Sequence, residues 1–192
     1  MNLENDPLAA LWMPFTANRA FKTTPRQLKS AKDMHYTSDD GRQILDGTAG
    51  LWAVNAGHCR APIVEAIQKC AAELDYAPPF QLGHPLAFEL ASRIAALMPE
   101  GLDRIFFTNS GSEANDTNIR MVHRYFDILG KPDKKLIISR ENAYHGSTIA
   151  AASLGGMSGM REQFTPLPYI HHVAQPYWFG SDGDQSPEDF GR

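Results

Sequence analysis

The sequence predicts an α/β fold around a strand–helix–strand unit with parallel strands, and three observations predict it. Ile105-Phe106-Phe107-Thr108 is a short apolar run of strand-favouring residues. The polar turn Asn109-Ser110-Gly111-Ser112 follows it. From Ala114 the apolar positions take helical period, with Ala114, Ile119, Val122, Phe126 and Leu129 on one face. Lys135-Leu136-Ile137-Ile138-Ser139 is a second apolar strand, and two strands separated by a helix of this length form a right-handed unit with parallel strands. Open α/β sheets hold ligands beyond the carboxyl ends of their strands. The loops at Ser110-Gly111-Ser112 and at Tyr144-His145-Gly146 both leave such ends, so they are expected at one crevice.

Composition bounds the function. The chain has 192 residues, 43% of them hydrophobic and 21% charged, the balance of a globular protein rather than a disordered one. A net charge of −4 without a basic cluster argues against extended nucleic-acid contact. Met1-Asn2-Leu3-Glu4-Asn5-Asp6-Pro7 has neither a basic flank nor an apolar core, so no signal peptide is expected. No apolar run is long enough to span a bilayer. The two cysteines, Cys59 and Cys70, have neither zinc nor redox-motif spacing, and a reducing cytoplasm is expected.

Residues 1–24 read as an arm with a short helix over Leu8 to Trp12, broken by Pro14. Trp12, Phe15 and Phe21 are large apolar groups that need a surface to bury against, either the body of the fold or a second subunit. His35 to Thr37 and Gln43 to Asp46 read as two strands joined by the turn residues Asp40-Gly41. Gly47, Gly50 and Gly57 then surround Leu51-Trp52-Ala53-Val54 and indicate close backbone approach. Trp52 reads as a core aromatic or as a flat wall for a small molecule.

Pro62 to Leu74 is an amphipathic helix with proline in its first turn, and Tyr76-Ala77-Pro78-Pro79-Phe80 is a rigid linker. Pro85 to Met98 forms a further helix, with Leu86, Leu90, Ile94 and Leu97 on one face. Ser112 is expected to cap the central helix and Gly130 to stop it. A strand, a small-residue turn and a helix start aim backbone N–H groups and a positive dipole end at one point, which suits a phosphate. Ser147 to Leu154 reads as helix and Gly155 to Gly159 as a plain loop. His171 and His172 are adjacent on a strand and point to opposite faces, so a metal site is not expected. Gly180 to Asp184 reads as a solvated turn.

Phe107-Thr108-Asn109-Ser110-Gly111-Ser112-Glu113-Ala114-Asn115-Asp116-Thr117 resembles the phosphate-binding segment of the class III (omega) aminotransferases, fold-type I enzymes that use pyridoxal 5′-phosphate. Tyr144-His145-Gly146 is similar to that family's ring-stacking motif. Gly47-Thr48-Ala49-Gly50-Leu51-Trp52 and Met13-Pro14-Phe15-Thr16 resemble its amine:pyruvate and beta-alanine:pyruvate branch. The likeness runs from about Leu11 to Arg192. It implies an incomplete fold-type I chain: an N-terminal arm and part of a small domain over 1–60, then the first part of a large, mostly parallel-sheet domain over 61–192.

The resemblance implies that Ser110, Gly111 and Ser112 bind the cofactor phosphate, that Tyr144 stacks on the pyridine ring, and that His145 lies at the same site. It places Leu51, Trp52 and Phe15 in a pocket for the amine, with Phe80 reaching in from the other subunit of a homodimer or higher homo-oligomer. It implies an amine or omega-amino acid donor and a keto acid acceptor. The family's Schiff-base lysine matches none of Lys22, Lys29, Lys32, Lys69, Lys131, Lys134 or Lys135, so the 192-residue chain alone is expected to be inactive. A non-catalytic phosphate- or cofactor-binding α/β protein is the alternative. Such a protein would also use an anion site at a helix start, but it does not predict Tyr144 and Trp52 at their positions.

Overall fold

The computed structural model describes residues 8–180 and 185–191. They divide into two compact units, Met1–Leu90 and Ala91–Arg192.

In the first unit, β1 (Leu28–Lys32), β2 (His35–Ser38) and β3 (Gln43–Leu45) form an antiparallel sheet in chain order. The β2–β3 hairpin matches the sequence reading, with Tyr36 opposite Ile44. Gly41 takes φ +89° in its turn, a conformation that costs glycine least. The buried Ser38 hydroxyl accepts the Arg42 N–H at 3.0 Å and tightens that turn. Strand β1 carries no strand signal of its own, since Leu28-Lys29-Ser30-Ala31-Lys32 lacks β-branched and aromatic residues; it forms by pairing with β2.

The helix expected over Leu8 to Trp12 does not form, and α1 (Asn18–Thr23) comes after it. Pro14 disfavours helical geometry at Met13. The Asn18 amide then takes over the nearby backbone, accepting from Met13 N and donating to Met13 O and Thr16 O at 2.8–2.9 Å. After β3 comes a single turn, α2 (Ala49–Trp52), followed by α3 (Ala61–Glu73) with Pro62 at its start. Helix α4 (Pro85–Ala95) ends short of the expected Met98, and the division between the units falls within it.

The second unit is organised around α5 (Gly111–Ile128) and the parallel pair β4 (Ile137–Arg140) and β5 (Ile170–Val173), in register Ile137 to Ile170. Its core is Ile119 of α5, Leu154 of α6 (Ile149–Leu154) and Ile170 of β5, with Ile137, Ala150, Leu167 and Tyr169 packed against them. The expected strand Ile105–Thr108 is not a strand, since a strand exists only by virtue of a ladder partner and none is present among the described residues. The parallel neighbour of β4 is therefore β5. The expected plain loop at Gly155–Gly159 also gives way at Ser158, where α7 (Ser158–Arg161) begins with the Arg161 N–H bonded to Met157 O. On β5, His171 is exposed while half-buried His172 contacts Leu154 O through Nε2 at 3.0 Å. Helix α8 (Pro187–Phe190) is the last element. The turn expected at Gly180–Asp184 lies, beyond Gly180, outside the described residues.

No helix among the described residues is long and apolar enough to cross a membrane.

Candidate functional site

In the second unit the sequence places serine, glycine and serine where a long helix starts. Ser110, in extended geometry, is the cap: its side chain accepts the Glu113 N–H at 3.1 Å. The expected cap, Ser112, lies instead in the first turn, because the helix already begins at Gly111. The Glu113 carboxylate reaches back to the Asn109 N–H at 2.8 Å, so this acid orients the turn. The Gly111 and Ser112 N–H groups have no acceptor among the described residues, and nothing lies within 4 Å of where a Gly111 Cβ would stand. Two open N–H groups at the positive end of an 18-residue helix form a cradle for an anion.

The loop that follows β4 is fastened to this cradle. Ser112 Oγ accepts the Ser147 N–H at 3.0 Å. The Asn115 amide donates to His145 O at 2.7 Å, and Asp116 Oδ1 accepts from Thr148 Oγ1 at 2.8 Å and from the Ala151 N–H at 3.2 Å. Gly146 takes φ +128°, and a Cβ there would overlap the Ser112 hydroxyl and the Ala151 methyl. The close approach requires glycine. Tyr144, two residues earlier, keeps its ring 55% exposed. Ser110, Gly111, Ser112, Tyr144 and His145 are thus brought to one place, with His145 contributing its backbone carbonyl to the fastening.

The groups present at this helix start have the chemistry that a phosphorylated aromatic group requires. Because Ser112 Oγ accepts from Ser147, its own hydroxyl proton is left to donate, alongside the N–H groups of Gly111 and Ser112. An exposed aromatic ring stands on the loop fastened to the same helix turn. The donors suit a dianion and the ring suits a flat partner.

The other sequence-predicted residues lie in the first unit. Leu51, Trp52, Phe15 and Phe80 are 73%, 78%, 79% and 82% exposed, so none is a core residue. Trp52 and Leu51 stand on α2, whose handedness is reversed. Ala49, Gly50, Leu51 and Trp52 all have φ between 49° and 67°. For L-residues this costs about 1–2 kcal/mol each.

Asp46, at the end of β3, underlies that turn. One carboxylate oxygen accepts from Thr48 N and Thr48 Oγ1 at 3.0 and 3.2 Å, the other from Gly50 N at 2.7 Å and His58 Nε2 at 2.8 Å. Burial alone would raise the Asp46 pKa, but the bonds from His58, Thr48 and Gly50 outweigh it and hold it down to about 2. The Tyr36 ring packs on the His58 ring at 4.4 Å between centroids. Burial, then the Asp46 charge and its hydrogen bond, push the Tyr36 hydroxyl up.

Asn115, Asp116, Asp46 and His58 were not singled out by sequence reasoning. The first pair had no local signal to set it apart, since the start of α5 is polar throughout from Ser112 to Asn118 apart from Ala114; for Asp46 the signal was an acid directly after Gln43-Ile44-Leu45 and before a glycine.

The profile of the family Aminotransferase class-III matches residues 16–187. An omega-aminotransferase of Caulobacter vibrioides is 54% identical over 178 residues, covering 92% of this chain and 40% of the relative. A putrescine–pyruvate aminotransferase of Pseudomonas aeruginosa is 49% identical over 168 residues, covering 86% of this chain and 37% of the relative. Among solved structures, the omega transaminase from Pseudomonas jessenii in complex with PMP superposes with a TM-score of 0.92 at 33% identity, over 99% of this chain and 43% of that one. The chain spans about 40% of the length of the curated relatives it matches.

Proposed function

The chain belongs to the class-III aminotransferase family, and from that premise we propose that it supplies the cofactor-phosphate cradle of a pyridoxal 5′-phosphate enzyme moving an amino group from an amine or omega-amino acid to pyruvate or a similar keto acid. Its fold is part of the fold-type I architecture of the omega-transaminases. The observation that carries the proposal is the fastening of the Tyr144–Thr148 loop to the first turns of α5 through Ser112, Asn115 and Asp116.

The cofactor, when bound, supplies the electron sink for proton removal beside an amine nitrogen. The residues of this chain do the holding. The N–H groups of Gly111 and Ser112 and the hydroxyls of Ser110 and Ser112 take the phosphate, each bond to a charged group contributing about 1.5–3 kcal/mol. Tyr144 lies against the ring, worth about 0.5–1.5 kcal/mol, and the His145 carbonyl keeps the loop on α5.

Leu51, Trp52 and Phe15 form the apolar wall that meets the amine, and Phe80 serves the same pocket in a second copy of the chain. Their exposure supports this, because large apolar groups left in the open mark a surface awaiting a ligand or partner. The setting is a reducing cytoplasm, in keeping with free thiols at Cys59 and Cys70.

The test uses the complete gene product mixed with pyridoxal phosphate and desalted. A retained visible chromophore, with alanine formed from pyruvate and an amine donor, is the expected result. Loss of the chromophore on desalting, together with no alanine, overturns the proposal.

A further inference from the structure

We propose that Asp46 and His58 form a buried brace that fixes the left-handed turn α2, which makes Asp46 a positioning residue for the choice of amine donor through Leu51 and Trp52. The inference rests on the reading that these two side chains line the donor pocket.

The turn needs an external cause for its shape. Its internal bonds, Trp52 N–H to Thr48 O and Ala53 N–H to Ala49 O, both at 2.9 Å, join residues four apart, as they would in an ordinary right-handed turn. They do not choose the hand. Three of its four residues, Ala49, Leu51 and Trp52, carry side chains that disfavour positive φ. Such geometry persists only where the surroundings over-determine it.

The surroundings are the Asp46 carboxylate and what lies behind it. Asp46 gathers the N–H groups of Thr48 and Gly50, one just before the turn and one inside it. The Thr48 bond anchors the entry to the turn, and the Gly50 bond depends on the positive φ of Ala49 between them. The carboxylate is itself immobilised: Asp46 is 7% exposed, and its own N–H bonds to Met34 O at 2.9 Å, tying it to the sheet. His58 is 8% exposed and its backbone forms a two-way bridge with Asp33, at 3.0 and 2.8 Å. Tyr36, on β2, covers the imidazole. The brace therefore runs from the sheet, through the buried hydrogen bond between imidazole and carboxylate, to the two N–H groups that hold the turn.

The functional consequence follows from where the side chains hang. Leu51 and Trp52 make almost no packing contacts that would keep them in place, being largely exposed. Their positions are inherited from the backbone. A turn that relaxes to the right-handed form carries both side chains away from their present direction, and a wall built from them moves as one piece.

The experiment uses the complete gene product, with Asp46→Asn, Trp52→Ala and the double variant. Amide exchange across Gly47–Val54 is expected to rise on the order of tenfold in Asp46→Asn, the scale of one bond to a charged group, with the β2–β3 hairpin unaffected. Unchanged exchange in that segment overturns the brace. The ratio of kcat/KM for a bulky over a small amine donor is expected to shift several-fold in Asp46→Asn, and to show no further shift when Asp46→Asn is added to Trp52→Ala. An equal loss for both donors, or an added shift in the double variant, overturns the positioning role. A donor ratio unchanged by Trp52→Ala removes the pocket reading itself and the selectivity role with it, while exchange still decides the brace. If Asp46→Asn does not fold, Asp46→Glu keeps the charge but displaces the carboxylate from the Thr48 and Gly50 N–H groups, and the same two measurements apply with the same expected and overturning results.

Discussion

Ser112 Oγ accepts the backbone N–H of Ser147 at 3.0 Å, so a residue in the first turn of α5 fixes a loop 35 positions further along the chain. The same hydroxyl therefore belongs to two structures. As acceptor it holds the loop that carries Tyr144; its own proton stays available to donate, beside the open N–H groups of the helix start.

Ser112→Ala removes both roles. The lost donor is worth about 1.5–3 kcal/mol toward a dianion, so affinity for pyridoxal phosphate is expected to fall roughly tenfold or more. Equilibrium titration of the complete gene product measures this. An unchanged dissociation constant contradicts the assignment of Ser112 to the phosphate.

Asp116 acts on the same loop from one position beyond Asn115. Its carboxylate oxygen receives two bonds, from the Thr148 hydroxyl and the Ala151 N–H, and so holds the entry to α6. Asp116→Ala leaves both donors unmatched in a half-buried place, at a cost of about 1–3 kcal/mol. Chemical denaturation should show that loss, and amide exchange should place it in 144–152. Loss of stability without faster exchange there would show that Asp116 serves some other part of the unit.

Trp52→Ala separates a wall from a core. A core tryptophan costs about 3–5 kcal/mol when truncated, whereas surface substitutions stay within about 0.5 kcal/mol. At 78% exposure Trp52 belongs to the second group. Melting of the variant is expected to match the parent closely while the ranking of amine donors changes. A large fall in Tm with the ranking intact would put the side chain in the core.

What the sequence made legible depended on how local the cause was. The β2–β3 hairpin is announced by Asp40-Gly41, and α3 and α5 by their apolar period, because each is decided within a few residues. Strand β1 is not announced, since its pairing with β2 supplies what Leu28–Lys32 lacks. The Ile105–Thr108 run reads as a strand from its apolar, strand-favouring residues but forms none, because a strand needs a neighbour that no local pattern reveals. The left-handed turn at Ala49–Trp52 is the clearest case. Nothing in Ala-Gly-Leu-Trp specifies its hand, which comes from Asp46 and from His58, 12 residues beyond Asp46. The helix start at Ser110-Gly111-Ser112 was legible as a motif, but the cap moved from Ser112 to Ser110, and the contacts of Asn115 and Asp116 span 30 residues or more.

Asp46 also gives the first unit a defined acid response. Its folded-state pKa, near 2, lies below the ordinary aspartate value of about 3.9. A depressed carboxylate stabilises the native state when ionised, so its contribution is complete above about pH 5 and is lost as pH falls from about 4 toward 2. The stability difference between the parent and Asp46→Asn should be level from neutral pH down to about 5 and shrink below 4. Denaturant unfolding at a series of pH values checks it. A difference that persists undiminished at pH 2 would mean that the carboxylate is not the source of the effect.

The 192-residue polypeptide expressed by itself presents a different question, because its apolar faces are only partly covered. Ile119, Leu154 and Ile170 form the buried cluster of the second unit, while Phe106, Phe107, Val122 and Ile128 on or beside α5 remain exposed. On α4 the expected inward face, Leu86 and Leu90, is also open, as is Leu97 just after it. Each such side chain gains about 1.5–3 kcal/mol on full burial, and a whole domain is stable by only about 5–15 kcal/mol. Leaving several of them in water removes a margin of that size. The apolar Ile105–Thr108 segment adds backbone groups without a ladder partner among the described residues, the kind of edge that recruits another chain. This polypeptide alone is therefore expected to bind a hydrophobic dye, to elute as associated species on size exclusion, and to exchange its α5 amides quickly. It is also expected to form no alanine from pyruvate and an amine donor when pyridoxal phosphate is added, since none of its lysines matches the family's cofactor-bearing position. A monodisperse species with well-protected α5 amides would show that the two units are self-sufficient, and sustained alanine formation by that species would show that one of its own lysines serves the chemistry.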